Sequence, residues 1–253
     1  MGFTIDLLPA SADNYIYLVS DVDLGLAMVV DPGEAEVVIE TLQEKDLQLA
    51  LILNTHHHGD HTGGNAVFGA KDATIIAQSR VRERLAKDSA LTKEALPVIT
   101  FDESASVHFN GEEIKLIHYG PGHTDGDSVI YFTKANVVHM GDQFFNGGFP
   151  FVDLNSGGSM DGYLKTVATV LEKIPADAKI IPGHGTLATV DDLKKYHAML
   201  QETTAIVKAG IAERKSLEDL KAAGLPNEFK EFGTGFIKTD RWIETIYNSA
   251  TRE

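Results

Sequence analysis

The run Thr55-His56-His57-His58-Gly59-Asp60-His61 gathers imidazole nitrogens and a carboxylate into a few residues. His56, His58, His61 and Asp60 together make a donor set that suits a borderline cation such as zinc, which favours nitrogen and oxygen ligands. His56 and His58 are two apart, so in an extended segment their side chains point the same way. Asp60 and His61 follow at the bend, where a local turn aims them at a second point close by. His57 alternates away from its neighbours and is expected to pack behind them rather than ligate. Three further candidates lie downstream: His123 in Gly120-Pro121-Gly122-His123-Thr124, Asp142 in Met140-Gly141-Asp142, and His184 in Pro182-Gly183-His184-Gly185. Glycines flank each one, as tight turns with close backbone approach require. Asp127 is expected to support His123 from behind. His108, His118, His139 and His197 have no ligand-like spacing and read as structural or surface residues. The chain has no cysteine, which removes thiol nucleophiles, thiolate ligands and disulfides together.

The elements that must position these residues follow from periodicity. Strands are expected at Phe3–Leu8, Tyr15–Val19, Ala27–Val30 and Leu49–Leu53. A turn at Asp31-Pro32-Gly33 and a helix over Glu34–Lys45, with Val37, Val38 and Leu42 on one face, separate the last two. Ile75–Ala77 is a short strand and Ser79–Lys87 a charged helix. Strands follow at Ser104–Phe109, Glu113–His118, Ser128–Phe132 and Asn136–Met140, the first pair joined through Asn110-Gly111. Met160–Leu171 reads as an amphipathic helix and Lys179–Ile181 as a last strand. Val190–Arg214, Ser216–Ala223 and Thr239–Ser249 read as helices, with Ser216 as an N-cap. Four polar clusters, His56–His61, His123–Asp127, Asp142 and His184, come after predicted strands, on loops at one edge of the sheets where function gathers. Strand-rich halves each followed by helices imply an α/β fold of two mixed sheets packed face to face with outer helices. The chain is expected to form one domain over 1–253, with 190–253 as a helical C-terminal extension packed on it.

Composition bounds the partners. The 253 residues suffice for a substantial core. Lys and Arg number 22 against 37 Asp and Glu, a net charge of −15, so no basic stripe is available for a nucleic-acid backbone. No apolar run approaches the ~20 residues of a membrane span. A small-molecule substrate is expected, with neither nucleic acid nor membrane as partner, and the oligomeric state is left open. Met1-Gly2-Phe3-Thr4-Ile5-Asp6 shows no basic segment followed by an apolar one, so no export signal is expected. The chain as it stands reads as cytoplasmic, or as periplasmic or secreted if a leader has been removed.

His56-x-His58-x-Asp60-His61 followed in order by His123, Asp142 and His184 resembles the metallo-β-lactamase superfamily over about residues 3–190. The resemblance implies an αβ/βα sandwich with a dinuclear metal site at one edge. It assigns His56, His58 and His123 to one metal, Asp60, His61 and His184 to the other, and Asp142 to both. Two zinc ions per chain are implied, with iron or manganese as alternative occupants. A metal-bridging hydroxide would then open an acyl bond, and Asp60 would act as the catalytic residue that orients it.

Two subfamilies bear on the substrate. Pro9-Ala10-x-x-Asp13-Asn14-Tyr15-x-Tyr17-Leu18-Val19, then Val30-Asp31-Pro32 and Thr55-His56-His57-His58, resembles glyoxalase II, which hydrolyses an acyl-glutathione thioester. After Asp142, however, Gln143-Phe144-Phe145-Asn146-Gly147-Gly148 replaces the Gly-Cys-Gly and basic segment of that family. The Gly120–Thr124 and Pro182–Gly185 segments resemble zinc β-lactamases. On this basis a β-lactamase-like substrate, a cyclic amide or lactone, is the leading expectation. A hydroxyacylglutathione-type thioester is the alternative, and a phosphodiester ranks third. Phe145 and Phe149 are expected to form an apolar substrate wall, with Gly147-Gly148 and Gly157-Gly158 letting the loop move. Trp242 and Phe236 are expected to anchor the tail.

Overall fold

The computed structural model describes residues 3–10 and 14–252. Met1, Gly2 and Asp13, which entered the readings of the N-terminus and of the Asp13-Asn14-Tyr15 motif, lie outside the described residues. The chain divides into two compact units, Met1–His118 with Gly126–Ala135, and Tyr119–Asp125 with Asn136–Glu253. The helices of 190–253 belong to the second.

In the first unit, six strands lie side by side in sequence order: β1 (Phe3–Ala10), β2 (Asn14–Asp21), β3 (Leu26–Val30), β4 (Gln48–Leu53), β5 (Thr74–Gln78) and β6 (Ile99–Phe101). The first three pair antiparallel and the rest parallel. The parallel connections carry helices, α1 (Ala35–Glu44), α2 (Gly59–Thr62), α3 (Asn65–Gly69) and α4 (Ser79–Leu85). Strands flanked this way are buried on both faces and read as continuous apolar runs; Met28, Val29, Val30, Ile52 and Leu53 are all fully buried. Val38 and Leu42 of α1 pack into a core with Leu18, Val29, Ile52, Phe68 and Ile75, and Val37 lies half-buried at its margin. The short strand β6 is not anticipated from the sequence. The unit also holds an antiparallel ladder of β7 (Ser104–Phe109), β8 (Glu112–Ile117) and β9 (Val129–Phe132). Asn110 and Gly111 close its hairpin with φ of 47° and 74°, the left-handed pair that a two-residue turn demands.

In the second unit β10 (Val137–His139) pairs parallel with β11 (Lys179–Ile181), which pairs antiparallel with β12 (Ala188–Thr189). The connection from β10 to β11 contains α5 (Met160–Lys173), and α6 (Val190–Ala212), α7 (Leu217–Ala223) and α8 (Thr239–Thr251) follow. Ser159 caps α5 by accepting from the Gly162 amide. Thr189 with Asp192, and Ser216 with Asp219, form reciprocal capping boxes; Ser216 is the N-cap expected from the sequence. Fully buried Trp242 stacks on Phe149 at 5.4 Å and donates its indole N–H to Thr203 Oγ1 at 3.0 Å. Each unit thus carries a mixed sheet with helices, the α/β class expected. No described helix is long and apolar enough to cross a membrane.

Candidate metal centre

All the ligand candidates except His123 follow the C-terminal ends of parallel strands, where open α/β sheets place their sites. In the first unit β4 runs straight into Asn54, Thr55 and His56. His56 and His58 offer ligand nitrogens within 4.8 Å of each other, and so do the Asp60 and His61 ligand atoms. Asp60 Oδ2 lies 3.4 Å from His61 Nε2. The rings of His56 and His61 stand 4.2 Å apart, those of His56 and His58 4.8 Å. His57 is half-buried beside His58, with ring centroids 4.6 Å apart.

The fold of this loop is imposed by the turn after β3. Asp31 sits at φ 51°, a left-handed conformation that Asp tolerates better than most residues. Its carboxylate, 2% exposed, accepts from the Thr55 amide at 2.8 Å and the Thr55 hydroxyl at 2.6 Å, and lies 3.0 Å from His61 Nδ1. Gly33 abuts the Asp60 backbone so closely that any side chain there would collide with it. Asn14, buried at the start of β2, donates to Asp60 Oδ2 at 3.1 Å. Behind the loop, fully buried Asn65 donates to Asn54 Oδ1 at 2.9 Å and Asn54 donates to the His61 carbonyl at 3.2 Å. The positioning roles of Asp31, Thr55, Asn14, Asn54 and Asn65 escaped the sequence reading. The signal in the sequence was that Asn14, Asp31 and Thr55 stand beside apolar strands in the motifs that carry the family resemblance.

In the second unit, the parallel register sets His139 opposite Ile181. Three residues beyond each lie Asp142 and His184, which therefore leave neighbouring strands side by side. The Gly183 amide donates to the Gly141 and Phe144 carbonyls, and the Asn146 amide to that of His184. Asp142 Oδ2 lies 3.4 Å from His123 Nε2 and 3.5 Å from His184 Nε2, nearly equidistant from the two imidazoles. His123 is fully buried, its Nδ1 2.8 Å from the Phe151 carbonyl, and its loop is moulded by the Asp153 amide donating to the His123 carbonyl. Below Asp142, Tyr163 donates its hydroxyl to the Asp142 carbonyl at 2.7 Å and stands 2.8 Å from the Tyr196 hydroxyl. Burial pushes the Tyr196 phenol far above its usual range, so it keeps its proton. With the Tyr163 proton given to Asp142, Tyr196 is the donor in that pair.

Phe145 is half-buried and stacks on His184, centroids 4.8 Å apart and planes 13° apart. Phe149, expected at a substrate wall, is instead 2% exposed. It is sandwiched against Trp242 and Phe232, because α8 offers it a large apolar face. Phe236, expected as an anchor, is 86% exposed and anchors nothing. His139 accepts from the Gly141 amide and His118 Nδ1 lies 2.6 Å from the Asp127 carbonyl, structural contacts like those expected.

The donor set fits metal ions. His56, His61 and His123 each direct Nδ1 to an oxygen partner, the arrangement that fixes an imidazole for ligation through Nε2. The chain belongs to the metallo-beta-lactamase superfamily, whose family model matches residues 13–185, and it is a hydrolase of the α/β-sandwich class. The hydroxyacylglutathione hydrolase of Halorhodospira halophila is 32% identical over 243 residues, 93% of this chain and 86% of that protein. The hydroxyacylglutathione hydrolase of a Synechococcus strain is 38% identical over 152 residues, 57% of this chain and 55% of that protein. Among solved structures, the BLEG-1 B3 metallo-beta-lactamase matches with a TM-score of 0.65 at 21% identity, over 78% of this chain and 99% of that one. Likeness at that identity speaks for the fold alone.

Proposed function

We propose that the chain is a dinuclear metal-dependent hydrolase acting on an acyl thioester of the hydroxyacylglutathione type. The observation that carries this reading is the 32% identity to a hydroxyacylglutathione hydrolase over 93% of the chain. It reverses the ranking expected from the ligand-loop segments, because the β-lactamase likeness rests on fold. His56, His58 and His123 are proposed to hold one ion, Asp60, His61 and His184 the other, and Asp142 both, with zinc as the occupant that this nitrogen and oxygen set favours. When bound, such ions lower the pKa of water toward neutrality and polarise an acyl carbonyl. The protein's share is positioning. Asp60, tethered through Oδ2 by Asn14, orients the attacking water, and Phe145 offers an apolar face beside His184. Tyr163 and Tyr196 brace the backbone of Asp142 from below.

The test is a substrate panel run after elemental analysis: an acyl-glutathione thioester, a chromogenic β-lactam, a lactone and a phosphodiester. About two zinc ions per chain are expected, with kcat/KM highest on the thioester and turnover abolished by chelator and restored by zinc. Faster turnover of the β-lactam or lactone would return the cyclic-acyl reading to first place. Protein purified without chelator and free of metal would refute the dinuclear reading.

A further inference from the structure

We infer that Asp31 is a positioning residue for both metal ions at once, because it fixes the tautomer of one imidazole from each proposed ligand set. This rests on the dinuclear reading above. The Thr55 hydroxyl has a single proton and donates it to Asp31 Oδ2 at 2.6 Å. Toward His56 Nδ1, 3.1 Å away, that same hydroxyl oxygen is therefore an acceptor. His56 must carry its proton on Nδ1, which makes Nε2 its ligating atom. His61 Nδ1 lies 3.0 Å from the same Oδ2, and a carboxylate oxygen only accepts, so His61 is set in the same tautomer. Asp31 Oδ1 takes the Thr55 amide at 2.8 Å, which fixes the rotation of the carboxylate. All three partners are at least 97% buried, so water does not compete for these contacts. One carboxylate thus governs His56 through Thr55 and His61 directly.

Asparagine at 31 inverts the pattern without changing its shape. Asn accepts the left-handed φ as readily as Asp. Its Oδ1 keeps the Thr55 amide, and its NH2 then occupies the place of Oδ2. Facing a donor, the Thr55 hydroxyl accepts and turns its own proton toward His56 Nδ1, while His61 Nδ1 must accept as well. Both protons move to Nε2, and neither ring then presents a lone pair for ligation. Loss of such an orienting partner typically weakens metal binding tenfold to a hundredfold. The distinguishing expectation is that Asp31→Asn weakens both ions, whereas Thr55→Val, which breaks only the relay to His56, weakens one. Thr55→Ser, which keeps the hydroxyl, restores it.

The experiment titrates the zinc-loaded full chain and these three variants with a chromophoric chelator. In parallel, 15N NMR of the histidine rings reads the protonated nitrogen. Wild type is expected to release two ions in resolved steps and to show Nδ1–H at both His56 and His61. Asp31→Asn is expected to release both ions at tenfold to a hundredfold lower chelator strength, and Thr55→Val only one. Two ions bound unchanged in Asp31→Asn, or Nε2–H at His56 or His61 in wild type, would overturn the inference while leaving the dinuclear reading intact. Fewer than two ions in wild type would strike at that reading itself. The NMR arm needs only the wild type, so poor folding of a variant does not protect the inference.

Discussion

Replacing Gly183 by alanine is a steric probe of Asp142. Gly183 does not sit in the left-handed region, so the backbone accepts alanine without strain. The added methyl would overlap Asp142 Oδ1 and come within 2.8 Å of the Gly141 carbonyl carbon and oxygen. Ordinary C···O contact lies nearer 3.3–3.6 Å, so the carboxylate must retreat or rotate by roughly 1 Å. Its two atoms move as a rigid plane, and Oδ2 leaves a position balanced at 3.4 Å and 3.5 Å from the two imidazoles. A misplacement of about 1 Å at a reacting centre costs on the order of a hundredfold, or about 2.7 kcal/mol of transition-state stabilisation. The accompanying overpacking should cost about 1–3 kcal/mol of stability, lowering Tm by about 2–4 °C per kcal/mol. The assay is kcat/KM on the acyl-glutathione thioester beside a thermal melt and metal content. Gly148→Ala, where the methyl meets nothing within 4 Å, serves as the control and should match wild type. Activity of Gly183→Ala within about threefold of wild type would refute the argument that the place of Asp142 is set by the room Gly183 leaves.

Two further outcomes follow from packing. Trp242→Ala removes a fully buried ring and its stack on Phe149 and should cost about 3–5 kcal/mol in denaturant unfolding; a loss below about 1 kcal/mol would show that α8 is not anchored this way. Phe145→Ala frees one face of His184 and should raise KM for an apolar acyl thioester more than it lowers kcat, as steady-state kinetics would read. An unchanged KM would remove Phe145 from the substrate's path.

What the sequence disclosed depended on the range of the cause. Val38 and Leu42 fell on the inner face of α1, Ser216 capped its helix, and Asn110-Gly111 made a hairpin, because each depends on residues within a turn or two. The His56–His61 run was legible as ligands for the same reason. Asp31 was legible only as part of a turn, since its partner Thr55 lies across a helix and a strand. The burial of Phe149 against Trp242 was not legible, because nothing near it reveals a partner some ninety residues on. The substrate was the least legible feature: local segments led to an expectation of cyclic acyl bonds, whereas the function proposed above takes a thioester.

The loop of His123 has a consequence for how the protein comes into being on the ribosome. Its shape is cast by chain made later: the Phe151 carbonyl at its ring, the Asp153 amide at its carbonyl, and the Ser159 amide at that of Gly122. At about 5–20 residues per second, that mould emerges some seconds after His123 itself. During this interval the nascent chain carries the histidine cluster of 56–61 already complete, while the imidazole at 123 is still unshaped.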